Sequence, residues 1–293
     1  MARFLQYLFA GLSAGSLYAL VALGLVLVYR ATRVLNFFHG DLAAFVTFLA
    51  FTLLGLGLPF GAALPAGLLG GAVLVTGVYF GILLPAQRRE ATLLSQVILT
   101  LGVALVLQGG MTVFWGADPE RFPFPLSDTR VLRLGRVIMS ELHLAMLGVG
   151  LVAAGALYGV VQRTRLGLAM RAVSENLMAA QTLGLPTRWI LALAWILASI
   201  LGGLAGVFLA PVLLLDPFFM LDPFLKGFAA AVLGGMASLP GAIVGGLLLG
   251  VAESLIAGYL WLQFKNTLAF LVIILVLLVR PEGLLGRDFQ ERV

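Results

Sequence analysis

The chain has no cysteine among its 293 residues, only two histidines, and a charged fraction of just 11%. Each shortage removes a class of function. Without cysteine there is neither a disulfide framework nor thiol chemistry. His39 and His143 stand far apart in sequence and supply no zinc-ligand spacing, so no metal is expected. No G-x-x-x-x-G-K-[ST] phosphate loop occurs, so the chain does not bind nucleotide in the P-loop manner, and no cofactor or catalytic residue is expected. A soluble domain carries about 25% charge. Here the low charge accompanies a mean hydropathy of +1.10, which excludes an ordinary soluble fold. The net charge of +5 and pI near 10 do not indicate nucleic acid, because the arginines are scattered through short loops rather than gathered on one face.

What the chain does have is a series of apolar runs of roughly 20 residues, the length that crosses ~30 Å of hydrocarbon. The runs are continuously apolar rather than alternating, which argues against a β-barrel. The expected fold is an all-α, polytopic integral membrane helical bundle forming a single domain over 1–293. Spans are expected at about 4–29, 34–57, 61–84, 93–115, 138–161, 190–215, 223–236, 240–261 and 265–280. The seventh is too short to cross unaided, so the count is eight or nine. The first run, Phe4 to Tyr29, is too long for a signal-peptide core and is followed by arginines, so it is read as a retained span.

Arginine placement sets an orientation. Arg30 and Arg33, Arg88 and Arg89, and then Arg163, Arg165, Arg171 and Arg188 fall on one side when the spans alternate, joined by Arg280, Arg287 and Arg292 when the seventh segment crosses. That side is expected to be cytoplasmic, with the N-terminus extracytoplasmic and the C-terminus inside. The outer loop 116–137 runs against the bias with Arg121, Arg130, Arg133 and Arg136, balanced in part by Asp118, Glu120 and Asp128. It suits a docking surface, a lid or a solvated connection. The inner loop 162–189 has helix formers from Leu166 to Leu183, then Gly184 and Pro186 as a stop. Leu166, Met170, Val173 and Leu177 recur at helical spacing, which predicts one amphipathic helix needing a membrane surface or a partner groove.

Polar residues in such a chain are costly unless partnered or functional. "VLNFFHGDLAAF" places Asn36, His39 and Asp41 around Gly40, with Asn36 and His39 expected on one helix face and His39 and Asp41 on different sides. A second interruption is expected at Gly234, Gly235, Pro240 and Gly241, followed by the carboxylate of Glu253, which must be protonated, paired or facing water. Interrupted or re-entrant segments near 36–41 and 223–240 point to a transport pathway. Asp216 and Asp222, each followed by Pro-Phe, read as two helix N-caps, and Asp222 stands four residues before Lys226, at pairing distance. Glycines four apart predict close packing: Gly11 and Gly15, Gly67 and Gly71, Gly77 and Gly81, Gly202 and Gly206, Gly241 and Gly245, Gly246 and Gly250.

The stretch "LNFFHGDLAAF" resembles the asparagine–histidine–glycine–acidic signature of branched-chain amino acid ABC transporter permeases, the shorter of the two permease subunits. "FAAAVLGGMASLPGAIVGGLLLGVAESL" is similar to their second signature, "RTRLGLAMRAVSENLMAAQTLGLPTRWI" to their cytoplasmic coupling loop, and "LLVRPEGLLGR" to their ending. Asp41 stands where glutamate is frequent in that family, and Phe38 where a small residue often stands. The resemblance implies a second, related permease subunit, two cytoplasmic ATP-binding subunits and an extracytoplasmic substrate-binding protein, all in the cell inner membrane system of an importer of branched-chain or related hydrophobic amino acids. It implies a coupling helix from about Arg171 to Leu185, including Glu175, Ala179 and Gly184. It also implies a pathway shaped by Asn36, His39, Gly40, Asp41, Gly234, Gly235 and Glu253. Relatives of this kind carry urea or short amides, which is one alternative. An ion-coupled secondary transporter acting alone is the other.

Overall fold

A computed structural model describes residues 2–126, 130–134, 137–259 and 264–286. Asp128 and Arg136 of the outer loop and Arg287 and Arg292 of the tail lie outside the described residues. The described residues are mostly helical, with α1 (Ala2–Thr32), α2 (His39–Gly55), α3 (Phe60–Val78), a π-helical turn (Tyr79–Leu83), α4 (Leu84–Arg88) and α5 (Leu93–Trp115) in the first half. A small antiparallel hairpin follows, β1 (Val131–Leu134) and β2 (Val137–Ser140), with Val131 opposite Ser140. The second half holds α6 (Glu141–Arg163), α7 (Arg165–Glu175), α8 (Leu177–Thr182), α9 (Thr187–Leu213), α10 (Leu221–Gly234), α11 (Leu239–Tyr259) and α12 (Phe264–Val279).

Among the described residues, six helices are long and apolar enough to cross a membrane: Arg3–Thr32, Phe60–Arg88, Leu93–Trp115, Glu141–Arg163, Thr187–Leu213 and Leu239–Tyr259. This is a polytopic helical membrane protein, but the expected eight or nine full-length spans are not all present. The apolar segments α2 and α12 are shorter, and α10, with its 14 residues, rises only about 21 Å at 1.5 Å per residue. The hairpin was not anticipated, and it delays the fifth expected span to Glu141.

The helices gather into two compact units that alternate along the chain. Unit 1 takes the chain up to Val26, Leu126–Ala154 and the part from Phe224 onward; unit 2 takes Leu27–Pro125 and Gly155–Pro223. In unit 1, the expected glycine pairs work as pairs. A Cβ at Gly11 would stand 2.7 Å from the Gly250 carbonyl oxygen, and one at Gly15 would stand 2.7 Å from that of Gly246. Only glycine lets α1 and α11 approach backbone to backbone, and in lipid such approach is what holds helices together. In unit 2, α2 packs on α3, α5 and α9. Gly206 meets Thr47 and Ala43 of α2, and Gly67 meets Val46 and Ala50. Gly77 and Gly81 face open space, so that pair packs nothing among the described residues.

Two expected helix starts shift. Asp216 accepts a bond from the Phe218 amide at 2.7 Å and opens a turn rather than a helix. Helix α10 begins at Leu221, so Asp222 lies inside its first turn instead of capping it. On the outer loop, Glu120 and Leu215 exchange backbone hydrogen bonds of 2.9 and 2.8 Å, tying the segment after α5 to the segment after α9.

Candidate functional site

Unit 2 carries the opening polar stretch. The helix break lies earlier than expected: α1 stops at Thr32, Arg33 has φ +60°, and α2 begins at His39, so Gly40 is helical and Asn36 lies in the break. The helical face that Asn36 and His39 were expected to share therefore does not exist. Thr100 of α5 holds the break, accepting from the Phe37 amide at 3.3 Å and lying 3.3 Å from the Leu35 carbonyl oxygen. Farther along α5, Gln108 donates to Asp41 Oδ1 at 2.7 Å. Thus Asp41 turns to α5, while His39 turns to α9, where a Cβ at Gly202 would stand 3.0 Å from its ring. The two side chains diverge, as their spacing implied.

The polar groups on the α9 side are buried without partners. Asn36 is 2% exposed and His39 1%, and neither side chain makes a hydrogen bond to a described residue. Trp195, stacked on Phe38 at 5.6 Å, and Ser199 are equally buried, with their polar atoms equally unmatched. Trp195, Ser199, Gly202 and Gly206 recur at helical spacing, so they form one face of α9. Each unpaired buried group costs about 1–3 kcal/mol, and a native fold that keeps several in one place requires a reason for them.

The inner loop also lies in unit 2, and here one expected helix is two. Asn176 leaves helical geometry (φ −151°, ψ 102°), ends α7 and caps α8, accepting from the Ala179 amide at 2.9 Å. The continuous helix expected from Arg171 to Leu185 is therefore broken after Glu175. An asparagine competes with the helical backbone for its own hydrogen bonds, which explains the break. The expected apolar stripe divides with it: Met170 and Val173 are buried, whereas Leu166 and Leu177 are exposed. The stop at Gly184 holds. Its φ is +77°, its amide donates to Gln181 O, and the Leu185 amide donates to Ala180 O, which together satisfy the last carbonyls of α8. Arg171 donates to Gln162 Oε1 at 3.0 Å and is half-buried, while Glu175 and Ala179 are exposed.

Unit 1 carries the second group. The second interruption is narrower than expected: Gly234 closes α10, Pro240 and Gly241 belong to α11, and only residues 235–238 leave the helix. Gly235 has φ +103°, a backbone conformation open to glycine, and the C-terminal segment lies against it. The Leu284 and Leu285 amides donate to Leu233 O and Gly234 O at 2.8 and 3.1 Å, capping the end of α10. Glu253 is paired: Lys226 Nζ donates to its Oε1 at 2.7 Å, with both side chains almost wholly buried. The ammonium also lies 5.6 Å from the centre of the Tyr18 ring. The lysine's partner is thus on α11, twenty-seven residues away, in addition to any contact along its own helix.

The structure therefore places Asn36, His39 and Asp41 in unit 2, with His39 and Asp41 facing different helices, and in unit 1 it pairs Lys226 with Glu253 while Gly234 and Gly235 lie at the break after α10. Thr100, Gln108, Trp195, Ser199 and Lys226 were not singled out from the sequence as lining either place. Their signal was present as polar residues recurring on one face of α5 and of α9, hidden by the apolar residues between them. Among the described residues, no group of three or more histidine, aspartate or glutamate side chains is placed to hold a metal ion.

Comparison with known proteins agrees with this architecture. The family model described as "Branched-chain amino acid transport system / permease component" matches residues 7–278. The chain is 32% identical to the high-affinity branched-chain amino acid transport system permease protein LivH of Escherichia coli K12, over 99% of this chain and 98% of that one. It is 34% identical to the permease protein BraD of Pseudomonas aeruginosa, with the same coverage. A probable branched-chain amino acid transport permease of Methanocaldococcus jannaschii is 30% identical over 94% of this chain and 90% of its own. Among solved structures, a chain of PsaBC from Streptococcus pneumoniae in complex with Fab superposes with a TM-score of 0.52 at 12% identity, covering 94% and 91%, a likeness of fold.

Proposed function

Because this chain belongs to the branched-chain amino acid transport permease family, we propose that it is the membrane-spanning permease subunit of an ABC importer for branched-chain or related hydrophobic amino acids. ATP hydrolysis resides on two separate cytoplasmic subunits. A second, related permease and an extracytoplasmic binding protein complete the system, in the inner membrane. The observation that carries this is the family match over residues 7–278 in a chain built from membrane-length helices.

In this reading both units belong to one permease domain. Asn36, His39, Gly40 and Asp41 shape the path within unit 2, and Gly234, Gly235 and Glu253 shape it within unit 1. The carriers of coupling are α7 and α8, through Arg171, Glu175, Ala179, Gly184 and Leu185. Two short helices offer an ATPase subunit a corner instead of a rod, and exposed Met178 and Leu183 offer it apolar contact. Arginine bias favours nine crossings, with the N-terminus outside and the C-terminus in the cytoplasm. The short α10 is then extended by the largely buried turn at 215–220, where protein shields the non-helical backbone.

The test is reconstitution of the full complex in liposomes, with ATP hydrolysis measured against leucine, isoleucine, valine, urea and short amides. Stimulation by a branched-chain amino acid in the presence of the binding protein is expected. Stimulation by urea alone, or leucine uptake by this chain alone along an ion gradient, would overturn the proposal.

A further inference from the structure

A third place in unit 2 lies outside the path and borders the coupling corner, with which it shares Leu177, Gln181 and Leu185. A cavity of about 450 Å³ opens between the end of the α3–α4 span and the start of α9. Its lining includes Tyr79, Leu84, Arg88, Leu177, Arg188 and Leu191, and no acidic residue. Arg88 is the last residue of one membrane-length helix, and Arg188 is the second residue of another. Two guanidiniums therefore meet at one cavity, at the ends of two membrane-length helices.

Neither guanidinium makes a hydrogen bond or ion pair with another described residue. Tyr79 is fully buried, and its hydroxyl has no hydrogen-bond partner among the described residues. Beside Arg188, exposed Trp189 lies over Phe80 with ring centres 4.8 Å apart. Aromatic side chains gather at headgroup level because one end of the ring is apolar and the other prefers water.

We propose that this cavity binds the headgroup of an anionic phospholipid, with the phosphodiester held by Arg88 and Arg188. The guanidinium fork matches two phosphate oxygens at once, and it gives up hydration more readily than an ammonium does. Leu84, Leu177 and Leu191 offer the start of an acyl chain an apolar wall, and Tyr79 supplies a further donor. A carboxylate from a partner protein would also neutralise the arginines, but it would leave that wall and its place at the ends of two membrane-length helices without use. The site requires only that the chain spans a membrane, so it stands apart from the transport proposal.

The experiment uses the full chain purified in detergent and mixed with phosphatidylglycerol or phosphatidylcholine, with bound lipid counted by non-denaturing mass spectrometry. Phosphatidylglycerol should be retained and phosphatidylcholine largely lost. An interfacial Arg contributes enough for the double variant Arg88→Gln/Arg188→Gln to retain phosphatidylglycerol about thirtyfold less, with phosphatidylcholine unchanged. Arg88→Lys/Arg188→Lys should fall between the two, and it serves as the measured pair where the glutamine variant does not fold. Equal retention of the two lipids, or undiminished retention by the folded variants, overturns the proposal. Displacement of the lipid by millimolar inorganic phosphate also overturns it, because the site would then be a general anion site. Loss of ATPase co-purification with lipid retention intact assigns the cavity to a protein partner and overturns it as well.

Discussion

Two buried polar places in the same apolar chain are built in opposite ways. In unit 1, Lys226 and Glu253 are ionisable groups that answer each other at 2.7 Å. In unit 2, Asn36 and His39 are neutral-capable groups buried just as deeply, and their polar atoms meet no partner among the described residues. A charge in hydrocarbon is far more expensive than an amide, so an unpaired charge would not be tolerated where an unpaired amide is. The contrast separates two roles. The ion pair fastens α10, the shortest of the apolar segments near the break, to α11. The unmatched groups hold a cost of a few kcal/mol, and under the proposed transport role another state or a passing polar ligand would supply the missing bonds.

The largest effect should come from breaking the pair. Lys226→Met or Glu253→Leu alone leaves one buried charge and should destabilise the chain by about 3–5 kcal/mol, whereas the double apolar variant should be near neutral. Thermal unfolding in detergent measures this; single variants as stable as the double would show that the charges do not depend on each other. Next in size is the packing of α9 on α2. Gly206→Val would drive a side chain into Thr47 and the Ala43 backbone and should cost about 1–3 kcal/mol, the range for overpacking a filled interface. Gly77→Val faces open space and should cost well under that, as a control on the same measurement.

Most of the fold was legible because its signals are local. Continuous apolar runs mark spans, Gly184 followed by Pro186 marks a helix end, and glycines four apart mark seams that the structure closes between α1 and α11. What was illegible depends on tertiary partners. Lys226 stands four residues from Asp222, and nothing in the sequence says that Glu253 of another helix would meet it. Asn176 looks like one polar residue on an amphipathic helix, and whether it continues the helix or caps a new one depends on its neighbours. Asn36 and His39 were picked out correctly as costly, but their spacing suggested a shared helical face. The backbone leaves the helix at Arg33, and that face is lost. Thr100 and Gln108 escaped notice because single hydroxyls and amides in an apolar helix are individually common, and only the break packed against them gives them a task.

The unmatched groups of unit 2 make a sharper test than the ion pair, because stability and transport should separate. His39→Leu roughly conserves the buried volume and removes no hydrogen bond seen in the structure, so unfolding should shift little, and relief of a buried polar group can even raise it. Uptake by the reconstituted complex should nonetheless fall by about tenfold, as follows from losing ~1.4 kcal/mol of interaction along the path. Normal uptake with normal stability would show that the imidazole does nothing on the path and dissolve the contrast between the two places. The smallest effect is expected at the coupling corner. Asn176→Ala removes the cap of α8 and should cost about 1 kcal/mol locally. A cap outside the spans should not alter insertion, yet it sets the angle between α7 and α8. ATPase co-purification should weaken while unfolding of the membrane spans stays put, and the exposed Glu175→Arg should weaken it in the same way. Undiminished co-purification in both variants would remove the corner from the coupling mechanism and leave it a simple connection.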